Sequence, residues 1–245
     1  MTDGAGLGGA ILAAGTGRRF REAGWTVPKA LVPVAGVPLI GHVLRHFVAA
    51  GVCSLDLILN EDARDVAAWV ERHFPDLALR VLVKTTRSSF ESFQELMRRA
   101  TGARTLCSTV DGWCPDEDFV RFVTRALDHP PAATVLALTA LVADERPLWA
   151  RLDATGRVTR LGEPGGDLVT AGIYVVPERV RRLAAGAAAE RLRDFLAWLV
   201  ATGEPVYGVV LPSVVDVDRP EDVRLAEALL HGRPGVPGHA SRGAR

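Results

Sequence analysis

The chain has 245 residues with equal numbers of acidic and basic side chains, 29 of each. That length suits one large α/β domain with a real core, and zero net charge offers no global basic field for nucleic acid or an anionic membrane. No apolar stretch reaches about 18 residues and the N-terminus lacks a charged-then-apolar signal pattern, so the expectation is a soluble protein of the cytoplasm.

Residues 8–13 form a short apolar run, suited to a strand buried on both faces. Residues 55–59 repeat that character, and a helix follows over 62–73 with Asp or Asn-type capping residues before it. A strand over 80–83 leads to a helix over 89–99, opened by Ser with Glu91 in its first turn. The strand at 104–109 ends at Val110-Asp111-Gly112. A helix over 115–127 starts on Pro115, with acids at 116, 117 and 118, and 132–138 is another buried strand. Between about 140 and 166 the rhythm breaks around Gly156 and Pro164-Gly165-Gly166, which reads as a small substrate-facing insertion. Strand returns at 169–176, then helix at 190–202, strand at 206–217 and a last helix at 220–230. This alternation predicts a mainly parallel sheet covered by helices on both faces, in a single domain over 1–230. Residues 231–245, rich in Gly, Pro and Arg, read as a disordered tail.

The strand at 8–13 breaks into Ala14-Gly15-Thr16-Gly17, where small residues let the backbone approach a ligand and take up positive φ. Arg18 and Arg19 follow, and Lys29 stands in Pro28-Lys29. A Gly-rich loop followed by spaced cations is a polyphosphate-binding device. It is not a Walker loop, because no Lys-Ser or Lys-Thr follows Gly17. Nor is it a dinucleotide fingerprint, because Phe20 stands where the third small residue belongs. Of the basic residues only Lys29 and Lys84 are lysines. Where composition drifts so far toward Arg, a retained Lys points to a site that needs a compact ammonium. Cys53, Cys107 and Cys114 lack metal-ligand spacing and fit a reducing compartment, and the six histidines show no zinc spacing.

Two carboxylate groups complete the reading. Asp111 directly follows the strand at 104–109, the end of an open α/β sheet at which ligands sit; a plain Asp-Gly turn is the competing explanation. Asp216 and Asp218 alternate on a strand end and so share one face. Two such charges repel unless a cation lies between them, or Asp218 serves as the cap of the following helix.

The segment Leu12-Ala13-Ala14-Gly15-Thr16-Gly17-Arg18-Arg19-Phe20, with Pro28-Lys29-Ala30-Leu31 and Gly36-Val37-Pro38 after it, resembles the signature L-A-A-G-x-G-T/S-R … P-K-x-L/M-x-x-V/I-x-G-x-P of sugar-phosphate pyrophosphorylase-type nucleotidyltransferases. Arg18 departs from it, standing where Thr or Ser is usual. Val215-Asp216-Val217-Asp218 before Pro220-Glu221-Asp222-Val223 looks most like the inositol-phosphate cytidylyltransferases, and Ser89 to Phe93 resembles a pattern of the choline- and inositol-phosphate enzymes. Thr170-Ala171-Gly172-Ile173-Tyr174 is similar to the family's Asn-x-Gly-x-Tyr strand. The Lys of its Glu-Lys-Pro is missing from Gly162-Glu163-Pro164, leaving Arg151, Arg157 or Arg160 to replace it, with Arg160 carried as the candidate.

The resemblance implies a Rossmann-like three-layer α/β/α sandwich with a mostly parallel mixed sheet. It implies transfer of an NMP from an NTP, CTP favoured, to a sugar-1-phosphate or a small polyol or alcohol phosphate, with release of pyrophosphate. Arg19 and Lys29 would be catalytic. Leu12, Ala13, Ala14, Gly15, Thr16, Gly17, Arg18, Arg19, Ser88, Ser89 and Asp111 would bind the nucleotide. Thr170, Gly172 and Arg160 would bind the acceptor, and Asp111 with Asp216 or Asp218 would hold Mg²⁺. A transferase acting on a molybdopterin-type cofactor phosphate and a non-catalytic nucleotide-binding regulator are the alternatives. Neither a nucleic acid nor a membrane is expected as a partner, and a homo-oligomer is compatible with the reading.

Overall fold

The computed structural model describes residues 6–52, 54–142 and 146–231; Cys53 and positions 232–245 of the expected tail lie outside the described residues. In chain order the elements are β1 (Leu7–Ala13), α1 (Arg18–Glu22), β2 (Pro33–Val34), β3 (Val37–Pro38), α2 (Leu39–Ala49), β4 (Leu55–Leu59), α3 (Arg64–His73), β5 (Leu79–Val83), α4 (Ser89–Arg99), β6 (Arg104–Thr109) and β7 (Gly112–Trp113). They continue as α5 (Asp116–Asp128), β8 (Thr134–Thr139), β9 (Trp149–Leu152), β10 (Val158–Leu161), β11 (Leu168–Pro177), α6 (Glu178–Gly186), α7 (Leu192–Ala201), β12 (Val206–Leu211), β13 (Val215–Asp216) and α8 (Pro220–His231).

The main sheet runs β5-β4-β1-β6-β11-β8-β12, with the β9–β10 hairpin paired along the start of β11. β5, β4, β1 and β6 are parallel, as are β8 and β12, while β11 runs antiparallel to β6, β8 and β9. Successive residues of one strand enter different cores. Ile11, Leu57, Leu106 and Ile173 pack with α2, α3, α5 and α8 on one face. Ala10, Ile58, Cys107 and Tyr174 pack with α4, α6 and α7 on the other. With both faces covered, alternation disappears from the strands, and the three-layer sandwich expected from the residues is what forms.

Several local expectations change. The helix expected from 62 begins as a single 3₁₀ turn, Glu61–Ala63, before α3, and Asn60 makes no side-chain cap to it. Its amide is used elsewhere, as described below. α5 starts one residue late because Pro115 takes the cap position, with Asp116, Glu117 and Asp118 filling the first turn. The strand expected over 206–217 divides into β12 and β13 around Pro212, which cannot donate to a ladder. The irregular stretch after 140, read as a small substrate-facing insertion, contributes β9 and β10 to the sheet edge. No helix among the described residues is long and apolar enough to cross a membrane.

Candidate functional site

β1 leaves the core at Ala13, and the loop after it is held from beneath. The Asn60 amide, at the carboxyl end of β4, donates to the carbonyls of Ala14 (3.2 Å) and Gly15 (3.1 Å). The Leu12 carbonyl accepts from the Val110 N–H (3.0 Å). Leu12, Ala14 and Gly15 thus have hydrogen bonds on their carbonyls before any ligand arrives. Gly17 turns the chain into α1 at φ 62° and ψ 32°, in the left-handed region that a side chain resists. A Cβ there would also lie 3.0 Å from that of Lys29, so Gly17 lets the two segments close on each other.

Lys29 opens a 3₁₀ turn after Pro28, and its side chain is 9 % exposed. Its Nζ donates to Asp111 Oδ2 at 2.5 Å and also to Asp218 Oδ1. Asp218 Oδ2 accepts from Arg19 Nη1. Burial would lower the Lys29 pKa, but the charges of Asp111, Asp216 and Asp218 outweigh it and hold the ammonium above its usual range. Burial works on Asp111 the other way, and there too the Lys29 charge, with hydrogen bonds from Lys29 and Thr109, wins and lowers the carboxyl.

The carboxylates are positioned by a two-strand ribbon. β7 and β13 pair antiparallel, Gly112 opposite Asp216 and Trp113 opposite Val215, and the Val217 N–H donates to the Asp111 carbonyl (2.9 Å). A Cβ at Gly112 would meet the Ala171 carbonyl at 2.8 Å, so only glycine lets the ribbon lie this close to β11. Asp218 is not the cap of α8. Instead Asp222, in the first turn of α8, reaches back, its Oδ2 accepting from the N–H groups of Asp218 (2.9 Å) and Arg219 (2.8 Å). Asp111, Asp216 and Asp218 each offer an oxygen within 4.8 Å of the others. Hard oxygen donors in such a set suit Mg²⁺, so the residues fit the metal that the sequence implies.

Beside this cluster lies a cavity of about 260 Å³. Asp111 and Asp216 form one end of it, and Thr109, Thr170, Gly172, Tyr174, Ser89 and Arg193 line much of the rest. Gly172 has φ 70° where the register of β11 against β8 shifts, and a Cβ would come within 2.4 Å of Thr109 Oγ1. Burial, and behind it the charges of Asp111 and Asp216, raises the Tyr174 phenol, which therefore faces the cavity as a neutral hydrogen-bonding group. A second cavity, about 290 Å³, opens on the other side of the loop between Gly15, Thr16, Arg21, Pro28, Lys29 and Asn60.

Arg19, Lys29, Asp111, Asp216 and Asp218 thus meet, although they are distant in sequence, and Thr170 and Gly172 share a cavity with two of them. Three expected residues are placed elsewhere. Arg18 is 75 % exposed and faces Glu22 at 3.6 Å, as its position on the outer side of α1 dictates. Arg160, on the β10 edge strand, is 68 % exposed and pairs with Glu163 at 3.3 Å. Ser88 lines neither large cavity; its Oγ accepts from the Glu91 N–H (3.2 Å) as the α4 cap. Ser89 does line the first cavity, while its Oγ also accepts from the Leu192 N–H (3.1 Å) at the start of α7. Arg193 and Asn60 carry site positions that the sequence reading missed. Asn60 had a signal, being a polar residue at the carboxyl end of a buried strand. Arg193 had none beyond membership of a helix.

A phosphate loop, a buried lysine and a carboxylate trio at the carboxyl ends of a covered sheet define a nucleotide-handling α/β domain. The chain belongs to the family of the MobA-like NTP transferase domain, whose sequence model matches residues 9–206, so that Asp216 and Asp218 lie beyond the match. Among curated relatives it is 29 % identical to the bifunctional IPC transferase and DIPP synthase of Rubrobacter xylanophilus, over 93 % of this chain and 52 % of that protein. It is 30 % identical to the bifunctional protein GlmU of Clavibacter sepedonicus, over 72 % of this chain and 37 % of that one. With the CMP-5'-(3-aminopropyl)phosphonate synthase of Streptomyces rubellomurinus the identity is 28 %, over 70 % and 28 % respectively. The chain thus spans about half or less of the length of these relatives. In fold it is similar to the inositol-1-phosphate CTP transferase of T. maritima, with a TM-score of 0.79, 19 % identity, and coverage of 96 % of this chain and 99 % of that one. A putative glucose-1-phosphate thymidylyltransferase of Bacillus anthracis gives 0.79 at 16 % identity, covering 95 % and 98 %.

Proposed function

We propose that this chain transfers a nucleotidyl group from an NTP, CTP favoured, to a small phosphorylated acceptor and releases pyrophosphate. The observation that carries the reading is the convergence of Lys29 and Arg19, from the Gly-rich loop side, on a carboxylate trio of which Asp111 and Asp216 line the neighbouring cavity. Loop N–H groups from Gly15 to Arg19 cradle the triphosphate, and Arg19 neutralises the leaving pyrophosphate. Lys29 stands between the two substrates, charged throughout, and offsets the negative charge that builds up as they approach. Asp111 and Asp216, with Asp218 in reach, would hold Mg²⁺, which supplies further charge neutralisation at the α-phosphoryl group.

An acceptor phosphate monoester is largely dianionic at neutral pH, its second pKa being about 6, so the attacking oxygen needs no general base. The chain's task is alignment. Arg193 and Tyr174, which line the cavity, take the role that Arg160 was expected to fill, the Arg193 guanidinium turning to the acceptor from the Arg146 carbonyl that it now meets at 2.5 Å. The preference for CTP draws support from the relatives, since the T. maritima protein is described as a CTP transferase and the Streptomyces one as a CMP-conjugate synthase. Three of the four loop carbonyls at 12–15 already accept one hydrogen bond and keep a second lone pair, so the base contact can come from this stretch, the Ser89 hydroxyl or the 85–88 segment.

Pyrophosphate release, measured with CTP, UTP, dTTP and GTP against inositol, choline and hexose phosphates and an alkylphosphonate, tests the proposal. CTP should exceed the others sharply, because a site that pairs one base edge leaves polar groups unpaired with another. Preference for UTP or dTTP would overturn the cytidylyl choice alone. No release with any pair would overturn the transferase reading.

A further inference from the structure

We propose that Asp218 is a stand-in for the triphosphate, which grips Arg19 and Lys29 in the empty protein and must yield them when nucleotide binds, and that it is not one of the ligands that fix the metal. The inference rests on the nucleotidyltransferase reading of the same site.

The two oxygens of Asp218 are divided between the two cations, Oδ1 to the Lys29 ammonium and Oδ2 to the Arg19 guanidinium. A carboxylate bridging a guanidinium and an ammonium has the charge sign and oxygen spacing of two non-bridging phosphate oxygens. Asp111 and Asp216 are set differently. Asp216 lies in β13 and Asp111 directly precedes β7, its carbonyl tied to the Val217 N–H; both line the acceptor cavity, and of the two cations it is Lys29 that Asp111 meets. Asp218 lies past the ribbon, its N–H held by Asp222, and it does not line that cavity. The backbone is therefore fixed while the carboxylate reaches toward the phosphate loop.

A physical need explains the arrangement. Lys29 is 9 % exposed, and an ammonium so enclosed requires an anion whether or not substrate is present. Asp111 supplies one such anion; Asp218 supplies a second between turnovers, the one that Lys29 shares with Arg19, and so holds both cations in the place where phosphate will stand. The consequence is competition. Nucleotide binds only the fraction of molecules in which Asp218 has released its partners, so apparent affinity falls by that fraction.

The test is isothermal titration of pyrophosphate and CTP in EDTA, and of Mn²⁺ alone followed by its electron paramagnetic resonance signal. Asp218→Asn keeps shape and removes charge; it should bind pyrophosphate and CTP without metal about fivefold or more tighter than wild type, since one charge-paired competitor is gone. Its Mn²⁺ affinity should stay within about twofold, whereas Asp216→Asn should lose most of it. Asp218→Glu, which restores the charge, should return metal-free binding toward the wild-type value. Asp218→Ser takes the place of Asp218→Asn should thermal unfolding show that Asn is not tolerated. Unchanged or weaker metal-free binding, or Mn²⁺ binding lost with Asp218, overturns the proposal while leaving the transferase reading in place. If wild type binds no nucleotide even with Mg²⁺, the transferase reading itself falls and the proposal falls with it.

Discussion

On the phosphate-loop side of the site, charged groups from three distant segments are locked together by short ion pairs and a two-residue ribbon. On the β11–α7 side, the cavity wall is mostly hydroxyls and aliphatic groups, with Arg193 reaching in from a helix whose role is otherwise packing. On the proposed reading the first region would handle what every NTP shares, a triphosphate and its metal, and its charges are few and paired. The second would handle what differs between acceptors, and its lining is spread over β11, α7 and the stretch before β9. Paired charge would thus sit where the chemistry is invariant, and a mixed wall where it varies.

Substitutions can break that division. Asp111→Asn should cut turnover by about a hundredfold or more with the fold intact, because a charge beside the reacting phosphorus is removed; steady-state pyrophosphate release with circular dichroism as control checks it, and activity within about threefold of wild type would refute the assignment. Lys29→Ala should do comparable damage, and Lys29→Arg should not rescue it, since a planar fork does not fit where an ammonium touches two carboxylates. Full activity of Lys29→Arg would reduce Lys29 to a generic cation.

Arg193→Ala should be milder and one-sided. A lost charged hydrogen bond lowers kcat/KM for the acceptor by about ten- to a hundredfold while the KM for nucleotide holds, and Arg160→Ala should change neither beyond about twofold. An equal effect on both substrates would mean that the two regions are not separable. Gly172→Ala sharpens the boundary itself, forcing a side chain into φ 70° and against Thr109. It should destabilise the protein by about 1–3 kcal/mol in urea unfolding.

The smallest expected effect is on pH. Asp111 is lowered in the fold, so its contribution is present above the unfolded carboxyl value near 4 and is lost as pH falls further. Lys29 is raised, so its contribution is full below about 10.5 and is lost only as pH rises past the folded value. Between these limits the pair should add no slope to stability, which urea midpoints from pH 5 to 9 in wild type and Lys29→Met would show.

How far the residues alone revealed this follows the same division. Lys29 stood out through the loop motif and the scarcity of lysine here, and Asp111 through its strand end beside the Gly-rich loop, the resemblance weighing against a plain Asp-Gly turn. Arg193 had no such contrast, being one arginine in an Arg-rich chain, and its value comes from the direction α7 gives it. The residues of α2 do carry a helical period, Leu39, Ile40, Val43, Leu44 and Phe47 recurring on one side with Arg45 exposed on the other, but burial of His42 and His46 as well leaves its polar face narrow. Ser88 and Asn60 show how little residue type alone decides. Each is a capping type in a capping position, yet Ser88 caps and Asn60 props up the loop.

The β7–β13 ribbon also sets a clock. Asp216 and Asp218 leave the ribosome more than a hundred residues after Asp111, and they reach it only when β13 pairs with β7. Until then the nascent chain has a phosphate loop and a sheet but an unanswered Lys29, lacking two of the three anions that surround it in the finished fold. A chain cut short before β13 would leave Lys29 with Asp111 alone of the three anions and, on the proposed reading, would lack part of its metal site.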